Sequence, residues 1–287
     1  MTKPEQQRRA ERFRALHAGP PILVLPNVWD VVSARLYEVE GFSAVATTSA
    51  GVAATLGYPD GEQMSLAESA EVVRRITSRV AIPVSVDLEA GYAKAPDGVA
   101  QSARTILHAG AVGINLEDSE GEASESLIDL VLQCERIAAV RAVADSEAVP
   151  LVINARTDSY LLFDSSDGDR FGRTVERANA YKATGADCIF VPDLGDLDEP
   201  TIAALVKEID APLNVIAGAG TPSLGRLEEL GVARVSFGPR AMRAALALVR
   251  RIAREWTTSG TYSEMLADAL SYAEVNQMLT RPQGDSL

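Results

Sequence analysis

A chain of 287 residues with 47% hydrophobic content can bury a sizeable core, and barrels of this length commonly form one domain. A net charge of −13 argues against nucleic acid and anionic membranes as partners. It does not exclude an anionic substrate, because a metal ion and one or two arginines can reverse the sign locally. Cys134 and Cys188 give neither a disulfide framework nor zinc spacing. Met1 to Arg14 lacks an apolar signal core and no apolar run spans a membrane, so a reducing cytoplasm is expected.

Glu5–Leu16 reads as a polar helix, and Ile22–Pro26 as the first buried strand. Asn27–Asp30 turns into a helix through Tyr37, and Ser43–Ser49 is the second strand. Helices over Leu66–Arg79 and Asp97–His108 flank the strand that starts at Val84, and Gly113–Glu117 is the fourth strand. A long helix, Leu127–Ala144, leads to the strand Leu151–Arg156. Then follow helix Arg170–Thr184, strand Cys188–Pro192, helix Glu199–Ile209, strand Leu213–Ala217, helix Pro222–Leu230 and strand Arg234–Phe237. Ala241–Glu255 and Tyr262–Met278 are the last helices.

Short apolar runs between helical periods mean parallel strands buried on both faces. Eight such strands alternate with helices, which predicts an α/β fold of the (β/α)₈ TIM type with extra C-terminal helices. An open doubly wound sheet is the alternative, weakened because no Gly-x-Gly-x-x-Gly follows an early strand. Residues 1–287 are read as one barrel domain, with 258–287 a helical extension used in oligomerisation. Its stripe of Met265, Leu266, Ala269, Leu270, Ala273 and Leu279 recurs at helical spacing. His17 and His108 read as structural, and both cysteines as core.

Two neighbouring strands end in acids. Val84-Ser85-Val86-Asp87-Leu88-Glu89-Ala90-Gly91-Tyr92 places Asp87 and Glu89 two apart, hence on one face of a strand. Ile114-Asn115-Leu116-Glu117-Asp118 ends in the same way. Clustered carboxylates are costly to bury, and a hard cation such as Mg²⁺ relieves that cost. The plainer alternative is that each acid meets solvent or a lysine. Ser49-Ala50-Gly51 after the second strand offers backbone N–H groups to an anion. Arg156, ending the fifth strand, offers a bidentate fork for a carboxylate or an ion pair to one of the acids.

Asp87-Leu88-Glu89-Ala90-Gly91-Tyr92 followed by Leu116-Glu117-Asp118 resembles the isocitrate lyase/phosphoenolpyruvate mutase superfamily over roughly Leu25 to Arg240. The family pattern is Asp-x-Asp-x-Gly-Tyr and then Glu-Asp, so Glu89 is longer by one methylene. The resemblance implies Mg²⁺, or Mn²⁺, held near Asp87, Glu89, Asp60 and Glu117. It implies a substrate held by Ser49, Ala50, Gly51 and Arg156, with Asn214 on a second carboxylate. It further implies a homodimer or homotetramer.

Family lyases follow Glu-Asp with Lys-Lys/Arg-Cys-Gly-His, and phosphonate enzymes carry Lys and Asn there. This chain instead has Ser119-Glu120-Gly121-Glu122-Ala123-Ser124-Glu125-Ser126, with no Cys, Lys or His. Its composition predicts a loop that closes over ligand. The departure argues against isocitrate or methylisocitrate cleavage by the usual route. The expectation is a Mg²⁺-dependent lyase cleaving a C–C bond next to a 2-oxo or 2-hydroxy carboxylate through an enolate, by decarboxylation or retro-aldol cleavage. Arg156, Tyr92 and Glu117 are the catalytic candidates, with Tyr92 or water as proton donor. The alternatives are a phosphonopyruvate-type hydrolase or mutase, and a non-catalytic 2-oxo acid binding barrel.

Overall fold

A computed structural model of the chain describes residues 1–119, 126–164, 166–193, 195 and 197–280. The strands are β1 (Leu23–Leu25), β2 (Asn27–Val28), β3 (Val45–Thr47), β4 (Val84–Asp87), β5 (Gly113–Glu117), β6 (Val152–Arg156), β7 (Cys188–Val191), β8 (Leu213–Ile216) and β9 (Arg234–Ser236). All pair in parallel, in the order β1-β9-β8-β7-β6-β5-β4-β3-β2. β1 and β2 are consecutive in the chain and separated only by Pro26, which has no N–H to give to a ladder. The two halves pair with opposite ends of the sheet, β1 with β9 and β2 with β3, so the first strand closes the barrel. The predicted α/β barrel is the fold observed.

Helices α1 (Lys3–Ala15), α2 (Val31–Val39), α3 (Ser49–Leu56), α4 (Leu66–Thr77), α5 (Pro96–His108), α6 (Leu130–Ser146), α7 (Ser159–Leu162), α8 (Arg170–Ala183), α9 (Glu199–Glu208) and α10 (Leu224–Glu229) lie between or before the strands. They are followed by α11 (Arg240–Thr258), α12 (Ser263–Leu266) and α13 (Tyr272–Leu279). α1 packs at the N-terminal end of the barrel. A Cβ on Gly113 would meet the Phe13 ring at 2.5 Å, so glycine is what lets α1 seat there. His17 follows it, buried edge-on to Phe13 at 4.8 Å, with Nδ1 2.9 Å from the Phe13 carbonyl. Burial, with Arg234 nearby, pushes it down to about 3, so it is a neutral packing group. His108 lies outside, 3.3 Å from Glu147. Cys188 is buried and its thiol is pushed up to about 12 by burial, as suits a core residue.

Three expectations change. The second strand stops at Thr47, and Ser49–Gly51 form the first turn of α3 rather than a loop. The Ala-rich run favours helix, and Gly57 ends it at φ 86. Short α7 was not foreseen. Tyr262–Met278 is not one helix: Asp268 adopts φ 52, and Ser271 with Glu274 forms a new capping box that starts α13. The predicted apolar stripe is therefore divided: Met265 and Leu266 lie on α12, Ala273 and Leu279 on α13, and Ala269 and Leu270 in the link between them.

Candidate active site

The acids gather where β4 and β5 end. Asp87 Oδ2 accepts from the Ser49 N–H at 3.1 Å, and the Asp87 N–H donates to Thr47 Oγ1 at 2.9 Å. Asp87 Oδ1 is buried and has no hydrogen-bond partner among the described residues. β4–β5 pairing continues one step further, with the Glu117 N–H donating to the Glu89 carbonyl at 3.0 Å. That bond holds Glu89 beside Glu117. Gly91, at φ 96, then turns the chain away.

Glu89 is held by a clamp that the sequence did not announce. Its Oε2 accepts from the Glu62 N–H at 2.7 Å and its Oε1 from the Tyr92 hydroxyl at 3.0 Å. Glu62 Oε1 in turn accepts from the Tyr92 N–H at 2.8 Å. Glu62, Glu89 and Tyr92 all adopt positive φ, at 56, 52 and 55°. Such backbone is uncommon outside glycine and persists where surrounding bonds over-determine it. Glu62 lies in an irregular loop, so no periodicity pointed to it.

Burial, with Asp87 and Asp60 nearby, pushes the Glu89 carboxyl up to about 7. Burial likewise raises Glu117 well above its ordinary range, with Asp158, Asp87 and Glu89 adding to the effect and Arg156 opposing it. Tyr92 is driven far up by burial and the Glu89 charge.

Arg156 is where the two sequence alternatives meet. Its Nη1 lies 2.8 Å from Glu117 Oε2, while Nε and Nη2 donate to Asp158 at 2.5 and 3.2 Å. Burial alone would lower it, but the Asp158 and Glu117 carboxylates push it up. Phe190 lies beneath, with the guanidinium 5.9 Å from its ring centre. Those contacts use three of five N–H donors. Asp158 was missed, although its position two residues beyond Arg156 was a legible signal.

Asp118 belongs elsewhere. It follows Glu117, so strand alternation turns it to the other face. It is 0% exposed and accepts from Arg177 Nε, the Tyr181 hydroxyl and the Asp158 N–H at 2.7, 2.7 and 2.8 Å. Burial raises it, and Arg177 opposes that rise. Its structural task is to anchor α8 to the segment that carries Arg156 and Asp158. Removing one partner of a buried pair leaves an uncompensated charge, so Arg177→Met is expected to cost about 3–5 kcal/mol in urea unfolding. A cost below about 1 kcal/mol would show that this anchor is dispensable.

Ser49 and Ala50 are partly exposed and Gly51 is buried. A Cβ on Gly51 would meet Thr48 at 2.6 Å and Trp29 at 2.9 Å, so its place also reflects tight packing. Asp60 lies close enough for its charge to raise Glu89. Asn214 is 0% exposed and is the second residue of β8, deeper than a strand end. Its Oδ1 accepts from Ser236 Oγ at 2.9 Å, and its Nδ2 has no partner among the described residues. The predicted closing loop falls largely on residues 120–125, outside the described residues; at its base Ser119 and Leu127 form a bridge.

No group of three or more His, Cys, Asp or Glu among the described residues is drawn into a ready ligand cage. The donor chemistry nevertheless suits Mg²⁺, which keeps several waters and takes only one or two carboxylates directly. The Asp87 oxygen without a partner among the described residues, on a carboxylate whose charge raises both Glu89 and Glu117, is the observation that fits a divalent cation.

The model of the phosphoenolpyruvate phosphomutase family matches residues 13–257. A 2-methylisocitrate lyase of Aeropyrum pernix is 32% identical, over 88% of this chain and 82% of its own. A solved structure of a putative lyase/mutase from Burkholderia cenocepacia is 37% identical, with a TM-score of 0.89 over 97% of this chain and 98% of that one. A phosphonopyruvate hydrolase solved with oxalate and Mg²⁺ is 25% identical, with a TM-score of 0.80 over 97% and 95%.

Proposed function

The chain belongs to the isocitrate lyase/phosphoenolpyruvate mutase superfamily, whose members are carbon–carbon lyases and mutases, and from that premise we propose that it is a Mg²⁺-dependent lyase. Its reaction cleaves a C–C bond next to the 2-oxo or 2-hydroxy carboxylate of a small di-acid. The observation that carries this reading is an Asp87 oxygen without a partner among the described residues, on a carboxylate whose charge raises Glu89 and Glu117, with Glu117 paired to a guanidinium that has N–H donors to spare. Asp87, Glu89, Glu117 and Asp60 would hold the ion, chiefly through its waters. When bound, the ion supplies charge that draws electron density from the 2-oxygen and the adjacent carboxylate.

The chain's own residues do the rest. Arg156 orients the substrate carboxylate with its remaining N–H groups. The Ser49 N–H is already given to Asp87, so Ala50 and Gly51 offer the first-turn N–H groups of α3 to the same anion. Asn214 offers its Nδ2 from below. Tyr92 gives its hydroxyl to Glu89 and holds its proton tightly, which favours water as proton donor and leaves Tyr92 to fix Glu89. The relative named 2-methylisocitrate lyase supports a lyase; the loop without cysteine favours a different di-acid. The hydrolase bound to oxalate and Mg²⁺ supports the ion and keeps phosphonopyruvate as the second substrate to test. The test is purified protein with Mg²⁺ against oxaloacetate, 2-methylmalate-type acids, isocitrate and phosphonopyruvate, with pyruvate and glyoxylate assayed. Turnover of an oxo or hydroxy di-acid supports the reading, whereas phosphonopyruvate as sole substrate refutes it.

No helix among the described residues is long and apolar enough to cross a membrane. We place the protein in the cytoplasm, as a homodimer or homotetramer. Leu266 and Leu270 are 71% and 55% exposed, and α11 carries exposed Leu246, Val249 and Trp256 while burying only Met242. Apolar surface of that extent supports a covering partner. Leu266→Asp with Leu270→Asp is expected to give a smaller species in light scattering. A monomeric wild type at micromolar concentration would instead leave these helices as a local cap.

A further inference from the structure

The inner face of the barrel can be followed through the strand register. Asp87 lies opposite Asn115, and Asn115 shares its face with Glu117 two residues on. Glu117 lies opposite Arg156, Arg156 opposite Phe190, Phe190 opposite Asn214, and Asn214 opposite Arg234. Arg234 therefore projects from the same face as Asp87, into the barrel.

Arg234 is 0% exposed, and its Nε, Nη1 and Nη2 have no hydrogen-bond partner among the described residues. A charge taken out of water without a partner costs several kcal/mol, so something in its surroundings must offset that cost. Burial pulls Arg234 down to about 10, which leaves it charged at neutral pH. Among the described residues, the titratable groups that feel or offset this charge are His17, Cys188 and Asp87. His17 is neutral and Cys188 is a thiol, which leaves the Asp87 carboxylate as the counter-charge.

We infer that Arg234 is the internal counter-charge of the carboxylate cluster, a fixed cation beneath the barrel mouth that lowers the affinity of the site for its divalent ion. The inference rests on the divalent-ion reading above. Asp87 is shared between two cations: Arg234 from the interior and the ion from the mouth, where its Oδ1 has no other partner among the described residues. Like charges repel strongly across a low-dielectric core, so each weakens the other's hold on Asp87. Without the ion, Arg234 tempers the repulsion among Asp87, Glu89 and Glu117. With it, the ion is held loosely until an anionic substrate adds negative charge.

A purely structural role and a counter-charge role differ in sign. If Arg234 merely braced Asp87, removing it would disorder the site and weaken ion binding. If it is a competing charge, removing it tightens binding. The experiment is Mn²⁺ titration, without substrate, of wild type, Arg234→Met, Arg234→Gln and Arg234→Lys. Circular dichroism reports folding; an apolar residue of similar length is often tolerated in place of a buried charge. Should Arg234→Met fail to fold, the glutamine and lysine variants carry the comparison. The methionine and glutamine variants are expected to bind Mn²⁺ at least about tenfold tighter, while lysine keeps the wild-type value. Unchanged or weaker binding in both neutral variants, or lysine behaving like methionine, overturns the inference while the ion site stands. A wild type that takes up no Mn²⁺ overturns both.

Discussion

Asp87→Ala is expected to abolish metal-dependent turnover, by about a thousandfold or more, while the barrel stays folded. The residue supplies a buried oxygen without a hydrogen-bond partner among the described residues, and its charge raises both Glu89 and Glu117. The fold is expected to survive at lower stability: the carboxylate's hydrogen bond is to the Ser49 N–H at the edge of the core, but its loss leaves buried Arg234 without its counter-charge. Asp87→Asn still accepts from that N–H and therefore separates loss of charge from loss of the hydrogen bond. Both variants should bind Mn²⁺ poorly in calorimetry and melt as cooperatively as wild type. Full activity in either would show that the ion, if present, is held elsewhere.

Arg156→Lys has the second-largest expected effect. An ammonium cannot span Glu117 and the two oxygens of Asp158 as the planar guanidinium does. Losing one charge-assisted contact to substrate costs about 2 kcal/mol, or roughly a thirtyfold rise in KM. Arg156→Ala goes further and leaves Glu117 and Asp158 buried without their cation, which should cost about 3–5 kcal/mol of stability. Steady-state kinetics and urea melts together separate the two effects. Wild-type KM and kcat in Arg156→Lys would make Arg156 a structural ion-pair residue alone.

The barrel was legible because parallel strands buried on both faces leave short apolar runs, and each run from Ile22 to Phe237 contains a strand. Asp87, Glu117 and Arg156 were legible as acids and a guanidinium at strand ends, whereas Glu89, expected on the Asp87 face of the same strand, lies beyond the end of β4 at φ 52. Strand alternation turns Asp118 outward, and reading it with Glu117 as one acidic pair ignored that parity. Pro26 marked the division of the first strand, but the closure it permits depends on pairing with both β9 and β3. Glu62 left no trace, because its role depends on a left-handed backbone within an irregular loop. Tyr262–Met278 has helical spacing, yet Ser271 and Glu274 already spelled a helix start in its middle. Asn214, which only the resemblance placed on a second substrate carboxylate, lies early in β8, inside the barrel.

The claim that a carbon–carbon bond is broken at a divalent-ion site is tested most directly by ¹³C NMR. Chelator-treated protein is mixed with labelled oxaloacetate or a 2-hydroxy di-acid from the substrate panel, and spectra are followed before and after Mg²⁺ is added. The account predicts no enzymatic conversion in chelator and, after Mg²⁺, appearance of the two carbon fragments at a rate proportional to wild-type protein and absent with Asp87→Ala. Equal rates in chelator and Mg²⁺, or no cleavage of any oxo or hydroxy di-acid while phosphonopyruvate releases phosphate, would contradict it.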